Sequence, residues 1–319
     1  MQKVKLGNSN VEVSAIGVGT WAWGDTLFWK YGSDYGEVEV KKAFSASLDA
    51  GVTLFDTAEV YGLGKSEELL GQFMKAIAPR VPRSQIKIAT KYMPVPWRLG
   101  KQAVKDAVAK SLERLQVESI DLYQIHQPFT FLMGQETLLN ALADEVKAGR
   151  IKALGVSNFS ADQMRKAHET LAKRKIPLTV NQVQYSLIAK KVETNGTLDA
   201  AEELGVTILA YSPLAQGVLS GKYTSTNPPK GARQLDPKFG SDGITKVQPL
   251  LRVLADLAEV YDATMAQVAI NWLAAQQNVI PIPGAKNAKQ AQENAAALEF
   301  KLVPEEITQL DRVSDECTR

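Results

Sequence analysis

Short apolar segments alternate with amphipathic ones along the chain at nearly even spacing, and this rhythm restricts the fold more than any other feature. The apolar segments are 16–20, 53–56, 86–90, 120–125, 152–156, 180–184, 207–211 and 279–282. They are short and rich in β-branched residues, as strands buried on both faces are. Between them lie stretches with helical spacing. In 37–50 the apolar face is Val40, Ala43, Phe44, Ser47 and Leu48, and the segment stops at Gly51. Further helices are predicted at 66–78 with Ser66 as N-cap, at 101–115 and at 135–148. Another starts at Ser160 with Gln163 completing a capping box, and more follow at 197–204, 247–261, 265–276 and 288–298, with a terminal helix at 304–313. Strand–helix alternation implies a parallel α/β sheet. Eight such units in 319 residues predict a closed (β/α)8 TIM barrel formed by one domain, 1–319. Segments 3–6 and 11–14 flank Gly7-Asn8-Ser9-Asn10 and read as an N-terminal β-hairpin positioned to plug the barrel's bottom. A long loop after strand 7, 213–244, is rich in Gly, Pro, Ser and Lys and is a candidate lid. Extra helices close the C-terminus.

A doubly wound open sheet is the competing architecture, and two stretches imitate its motifs. Gly17-Val18-Gly19-Thr20-Trp21-Ala22 matches G-x-G-x-x-A after a strand. That motif needs a helix next, to aim its amides at a pyrophosphate. An aromatic loop with Trp23, Phe28, Trp29 and Tyr31 follows instead. Gly62-Leu63-Gly64-Lys65-Ser66 resembles the end of a phosphate loop, but Glu59 stands where the first glycine belongs and would repel phosphate. It reads as a solvated helix start.

Three predicted strands end in ionisable groups: Asp56, Lys91 and His126. Tyr61 follows the first of them. In a parallel barrel such ends converge on one mouth, where catalysis sits. Each residue alone has a plain structural reading: a helix cap, a packing ring, a solvated lysine, a core histidine. Together they have complementary chemistry. A phenol has a pKa of about 10 and is an acid at neutral pH. An ammonium about 4 Å away contributes on the order of 4 kcal/mol at an effective dielectric of 20, enough to pull the phenol toward about 7. Asp56 would hold the ammonium charged and in place, and His126 would orient a carbonyl oxygen or share the proton. A hydride for the carbonyl carbon must come from a cofactor.

Composition removes other classes. Net charge is +2, with 37 basic and 35 acidic residues, which argues for neither a nucleic-acid nor an anionic-membrane partner. No apolar run approaches a membrane span. Cys317 is the sole cysteine, so no intrachain disulfide forms and a reducing compartment is expected: the cytoplasm, or the plastid stroma if a leader was removed. With His126 and His168 the only histidines, and His168 flanked by charge on a helix, no catalytic metal is expected.

The same motifs, in order, resemble the aldo-keto reductase family over essentially the whole chain. Phe55-Asp56-Thr57-Ala58-Glu59-Val60-Tyr61-Gly62, Ala89-Thr90-Lys91 and Leu122-Tyr123-Gln124-Ile125-His126 look like the family's Asp–Tyr, Lys and His blocks. The resemblance implies NADPH-dependent reduction of a small carbonyl substrate, with NADH the less expected cofactor and Asp56, Tyr61, Lys91 and His126 catalytic. It implies nicotinamide contacts from Ser157, Asn158 and Gln182, and from Tyr211, whose ring would stack on the nicotinamide. Further cofactor contacts are implied for Gly19, Thr20, Trp21 and Asp56, and for Ser212, Leu214, Gln216, Gly217 and Leu219. The adenosine-phosphate end would be Gly284, Lys286, Gln290, Glu293 and Asn294. Lys286 can pair with a phosphate near a helix start; alone it also reads as a surface lysine. Gln290 stands where many family members carry an arginine, which weakens the NADP expectation, and Lys289 is a possible substitute. Gly-Thr-Trp-Ala-Trp-Gly early and Pro-Trp-Arg-Leu after the third strand resemble plant-plastid and cyanobacterial members. An apolar substrate pocket would then involve Trp21, Trp23, Trp29, Tyr61, Trp97, His126 and Phe129, although loop tryptophans also pack on one another. The alternative function is a nicotinamide-sensing regulatory subunit with slow turnover, as in the potassium-channel barrel subunits that resemble the same family. A monomer is the default assembly.

Overall fold

The computed structural model describes residues 1–129, 131–224, 227–229 and 236–318. An antiparallel hairpin, β1 (Lys3–Lys5) and β2 (Glu12–Ser14), precedes the barrel. The barrel strands are β3 (Gly17–Gly19), β4 (Leu54–Asp56), β5 (Lys87–Tyr92), β6 (Ile120–Ile125), β7 (Ile151–Ser157), β8 (Leu178–Gln184), β9 (Thr207–Tyr211) and β10 (Val279–Pro281). They pair in chain order, all parallel. The sheet closes on itself through a bridge between Gly19 and Gly284, with the Gly19 N–H donating to Pro283 O at 3.0 Å. Outside lie α1 (Glu37–Asp49), α2 (Lys65–Ile77), α3 (Gly100–Leu115), α4 (Gln135–Lys147), α5 (Ala161–Ala172), α6 (Lys191–Thr194), α7 (Thr197–Leu204), α8 (Ser241–Val260), α9 (Met265–Ala274), α10 (Ala288–Ala296) and α11 (Pro304–Thr318).

Strand side chains alternate between the two faces. Phe55, Ile88, Tyr123, Val156 and Ile208 point outward and join the core beneath the helices. Leu54, Ala89, Leu122, Ala153, Val180, Leu209 and Ile280 point inward and form an apolar floor with Leu6, Val11 and Val13 of the hairpin. The hairpin therefore plugs the bottom of the barrel, as its position in the chain suggested. Its turn is seated closely: a Cβ on Gly7 would lie 2.6 Å from Thr179 O and 2.8 Å from Gly205 O, and the Gly7 N–H donates to Thr207 Oγ1 at 2.8 Å.

Some boundaries move. Ser66 does not cap α2, which begins one residue earlier behind Gly64. Its buried hydroxyl lies 2.7 Å from Thr20 Oγ1 and accepts from Thr57 Oγ1 at 2.9 Å, tying β3, β4 and α2 together. The capping box of Ser160 and Gln163 forms as expected. α8 begins at Ser241 rather than 247, and α11 runs on to Thr318 rather than 313. The expected lid, 213–244, lies partly outside the described residues, which omit 225–226 and 230–235. Its described part opens with a 3₁₀ segment, Ala215–Ser220. The loop 129–134 likewise has residue 130 outside the described set.

Candidate active site

Two residues above the floor, the same strands carry polar groups. Asp56 follows Leu54, Lys91 follows Ala89, Gln124 follows Leu122 and Gln182 follows Val180. On β7 the corresponding residue is Gly155, where a Cβ would lie 3.1 Å from both Gln124 Cγ and Val180 Cβ. The absent side chain leaves room for the glutamine. Lys91 is fully buried, and its Nζ donates to Asp56 Oδ2 at 2.5 Å and to Thr57 O at 2.8 Å. The other carboxylate oxygen of Asp56 accepts from Gln182 Nε2 at 2.7 Å and Gln124 Nε2 at 3.2 Å. A buried charge pair is tolerable only when its remaining lone pairs and protons are satisfied, and here both partners are.

The third proton of the ammonium points to Tyr61, whose Oη is 3.3 Å from Lys91 Nζ. Tyr61 opens a 3₁₀ turn ending at Gly64, in which Gly62 and Leu63 both have left-handed φ of 56°. That reversal returns the chain toward β5 and places the phenol over the lysine. His126 directly follows β6, with its ring centre 5.6 Å from that of Tyr61 and nearly perpendicular at 81°. The four residues expected from the strand ends are therefore neighbours at the C-terminal rim.

Their electrostatics differ from the expectation in one respect. Burial pushes the Tyr61 phenol up, more than the Lys91 ammonium pulls it down, and Asp56 also pushes it up. The phenol's pKa is thus above its ordinary value, not near neutrality, because desolvation penalises the phenolate even beside a cation. Burial alone would lower Lys91, but Asp56 and Tyr61 outweigh it and the ammonium is held charged. Burial, with Lys91 second, depresses His126 to about 3, so its imidazole is neutral at physiological pH.

Tyr61 and His126 line a cavity of about 760 Å³ that extends along the rim to the start of α10. Its middle is polar. Asn158 has φ 61° and bridges Ser157 Oγ at 3.1 Å, while its Oδ1 accepts from Tyr211 Oη at 3.0 Å. Ser157 donates to Gln182 O at 2.9 Å. Beyond them the wall is Ser212, Leu214, Gln216 and Gly217, then Gly284, Lys286, Gln290, Glu293 and Asn294. Two wall atoms, His126 Nδ1 and Gln216 Oε1, are buried with no hydrogen-bond partner among the described residues. A ligand with polar groups along its length can bond both atoms. Gln290 is engaged: its Oε1 accepts from the Lys286 backbone N–H at 2.8 Å, and its own N–H donates to Asn287 Oδ1 at 3.0 Å, which caps α10. Lys289 is exposed and pairs with Glu293 at 3.6 Å.

Of the expected substrate-pocket aromatics, Trp21 and Trp29 line the cavity. Trp23 does not: it is fully buried against Phe55 and Phe73 and donates through Nε1 to Ala285 O at 2.8 Å. Trp97 is 77% exposed and Phe129 packs on Phe131, both off the cavity wall. Thr20 and Leu219 are fully buried behind the wall rather than on it. Strand alternation would have revealed Gln124, which sits two residues from His126. Gln127, Lys222 and Tyr223 also line the cavity, with no sequence signal beyond their loops. Glu59 was read only as a residue that spoils a phosphate loop. It accepts from the Met93 N–H at 2.6 Å and from Arg98 Nη2 at 3.0 Å, anchoring the loop after β5 beside Tyr61.

A parallel barrel with this acid–base cluster on its rim is the arrangement of an oxidoreductase acting on carbonyl or alcohol groups. The chain belongs to the Aldo/keto reductase family, whose sequence signature matches residues 15–315. It is 37% identical over 322 residues to pyridoxal reductase, chloroplastic, from Arabidopsis thaliana, covering 99% of this chain and 86% of that protein. It is 30% identical over 345 residues to the NADH-specific methylglyoxal reductase of Escherichia coli K12, covering all of both. Among solved structures, an aldo/keto reductase from Klebsiella pneumoniae in complex with NADP and acetate superposes with a TM-score of 0.76 at 28% identity, covering 98% of this chain and 95% of that one. No helix among the described residues is long and apolar enough to cross a membrane, and no group of three or more His, Cys, Asp or Glu among them could hold a metal.

Proposed function

We propose that this protein reduces an aldehyde or ketone to the alcohol with NADPH, and that Tyr61 donates the proton. The observation carrying this reading is the phenol oxygen on the cavity wall, 3.3 Å from an ammonium that Asp56 holds at 2.5 Å. When bound, the cofactor supplies the hydride that forms the new C–H bond at the carbonyl carbon. The Tyr61 O–H bond breaks as its proton passes to the carbonyl oxygen. The phenolate left behind faces Lys91, and solvent reprotonates it. A raised phenol pKa keeps the proton in place until negative charge grows on the carbonyl oxygen. Neutral His126 orients that oxygen by hydrogen bonding without placing a second cation beside Lys91.

Ser157, Asn158 and Gln182 would hold the carboxamide, Tyr211 would offer a ring face, and Lys286 would pair with the adenosine phosphate. Lys286 favours NADPH. The NADH-specific relative makes that preference a matter for direct measurement. Trp21 and Trp29 offer flat apolar faces suited to a ring-bearing aldehyde, and the similarity to a pyridoxal reductase makes pyridoxal the first substrate to assay. The working assembly is a monomer of one barrel domain, acting in a reducing compartment.

Tyr61→Phe tests the assignment. It should lose turnover across an aldehyde panel while NADPH still quenches tryptophan fluorescence. Wild-type turnover in that variant would exclude Tyr61 as the donor.

A further inference from the structure

The Lys286 ammonium lies between two aromatic faces. Its Nζ is 4.5 Å from the centre of the Trp29 ring and 4.6 Å from that of Tyr35. Both distances are within the range of a cation–π contact. The rings belong to the loop between β3 and α1, whereas the lysine precedes α10, and α1 packs beside α10. Each component is fixed from behind. Tyr35 Oη donates to Ala22 O at 2.6 Å. Asp25 Oδ1 accepts from the N–H groups of Phe28 and Trp29 at 2.7 and 3.0 Å. The Lys286 backbone N–H is taken by Gln290. The aromatic contacts continue inward: the Trp29 ring stands edge-on to Trp21 at 5.5 Å, and Trp21 lies 6.2 Å from the Tyr61 ring.

We propose that Trp29 and Tyr35 act through Lys286 as positioning residues for cofactor choice, holding the ammonium at the cavity wall so that it favours the phosphate-bearing NADPH over NADH. This inference rests on the reading that Lys286 pairs with the adenosine phosphate. A free lysine side chain surrenders most of its rotamer freedom when it pairs with an anion. A caged one has already done so, and a ring face contacts the charge without supplying a hydrogen-bond acceptor of its own. NADH has a neutral hydroxyl in place of that phosphate and gains nothing from the preset charge. The Gln290 amide oxygen is committed to the backbone of Lys286 and carries no charge, so the cage supplies order rather than a further positive charge. Trp29, which reads from the sequence as a substrate-pocket aromatic, thus joins Tyr35 in recognising the far end of the cofactor.

The test is direct binding of NADPH and of NADH to the full chain by titration calorimetry, which needs no turnover. Tyr35→Leu and Trp29→Leu should each weaken NADPH about 3- to 10-fold, the size of a partly exposed cation–π contact, and change NADH less than about twofold. Tyr35→Phe keeps the ring face but loses the bond to Ala22 O, and should weaken NADPH less than Tyr35→Leu does. In a Lys286→Met background, Tyr35→Leu should have no further effect on NADPH. Equal weakening of both cofactors would reduce the role to loop packing and overturn the proposal, as would unchanged or tighter NADPH binding. Selective loss of NADPH in Lys286→Met, with both leucine variants unaffected, would sink the cage and leave the NADPH reading standing. Equal wild-type affinity for the two cofactors, unmoved by Lys286→Met, would instead overturn the NADPH reading itself. Circular dichroism confirms that each variant is folded, and if one leucine variant is not, the other decides the matter.

Discussion

The floor of the barrel and the layer directly above it are made by the same strands, two residues apart, and they have opposite physical characters. Leu54, Ala89, Leu122, Val180 and Leu209 pack with the hairpin into a closed apolar cluster. Asp56, Lys91, Gln124 and Gln182 form a buried polar network around one ion pair. A buried pair of this kind rarely stabilises a protein relative to well-packed apolar side chains, but losing one partner is severe. The lower layer supplies cohesion, and the upper one retains a charge arrangement for which cohesion is not the reason.

The sharpest way to break that contrast is at its polar end. Tyr61→Phe should reduce kcat by about 10²- to 10⁴-fold, the usual contribution of a positioned proton donor, with melting temperature nearly unchanged; steady-state assays beside thermal unfolding check this. Lys91→Met leaves the Asp56 carboxylate buried and unpaired. It should cost about 3–5 kcal/mol of stability by denaturant unfolding, as well as activity. Replacing both Asp56 and Lys91 with leucine should abolish activity yet recover most or all of that stability; a double variant no more stable than Lys91→Met would refute the account of the upper layer. In the floor, Leu122→Ala should cost about 2–5 kcal/mol through lost burial and a cavity, while folded molecules keep near-normal KM and kcat.

The effect that is smallest near neutral pH concerns His126. His126 takes up a proton near pH 6.5 in the unfolded chain but only near 3 in the native one. Between those values the unfolded state binds more protons, so stability falls as the solution is acidified through that window. His126→Gln should flatten that slope. In the wild type, kcat/KM should show no histidine ionisation between pH 5 and 8.

Much of this contrast was legible before any coordinates. Strand alternation and rim convergence are repetitive, and repetition shows in sequence: Asp56, Lys91 and His126 each end a recognisable strand, and the hairpin's plugging role followed from its place before the first barrel strand. Parity along β6 also points Gln124 inward, although its uncharged amide carries no ionisable signal. Loops do not repeat. Trp21, Trp23 and Trp29 lie within nine positions of one another, yet only the backbone path after Gly19 decides which face the cavity and which, like Trp23, enter the core. Ser66 looked like a cap because it stands at a helix start, and only the approach of Thr20 and Thr57 shows why it is buried instead. The direction of the Tyr61 shift depended on the balance between desolvation and Lys91, and sequence spacing carries the charge but not the burial.

The seating of the hairpin has a temporal side. Gly7 bonds Thr207 across 200 positions of the chain, and Leu6, Val11 and Val13 rest on side chains drawn from almost every strand. On the ribosome, these residues emerge well before their socket exists, because its side chains come from strands as late as β10. The stopper is synthesised before its socket and fitted late, so Leu6, Val11 and Val13 stand without their native cover for most of the barrel's synthesis.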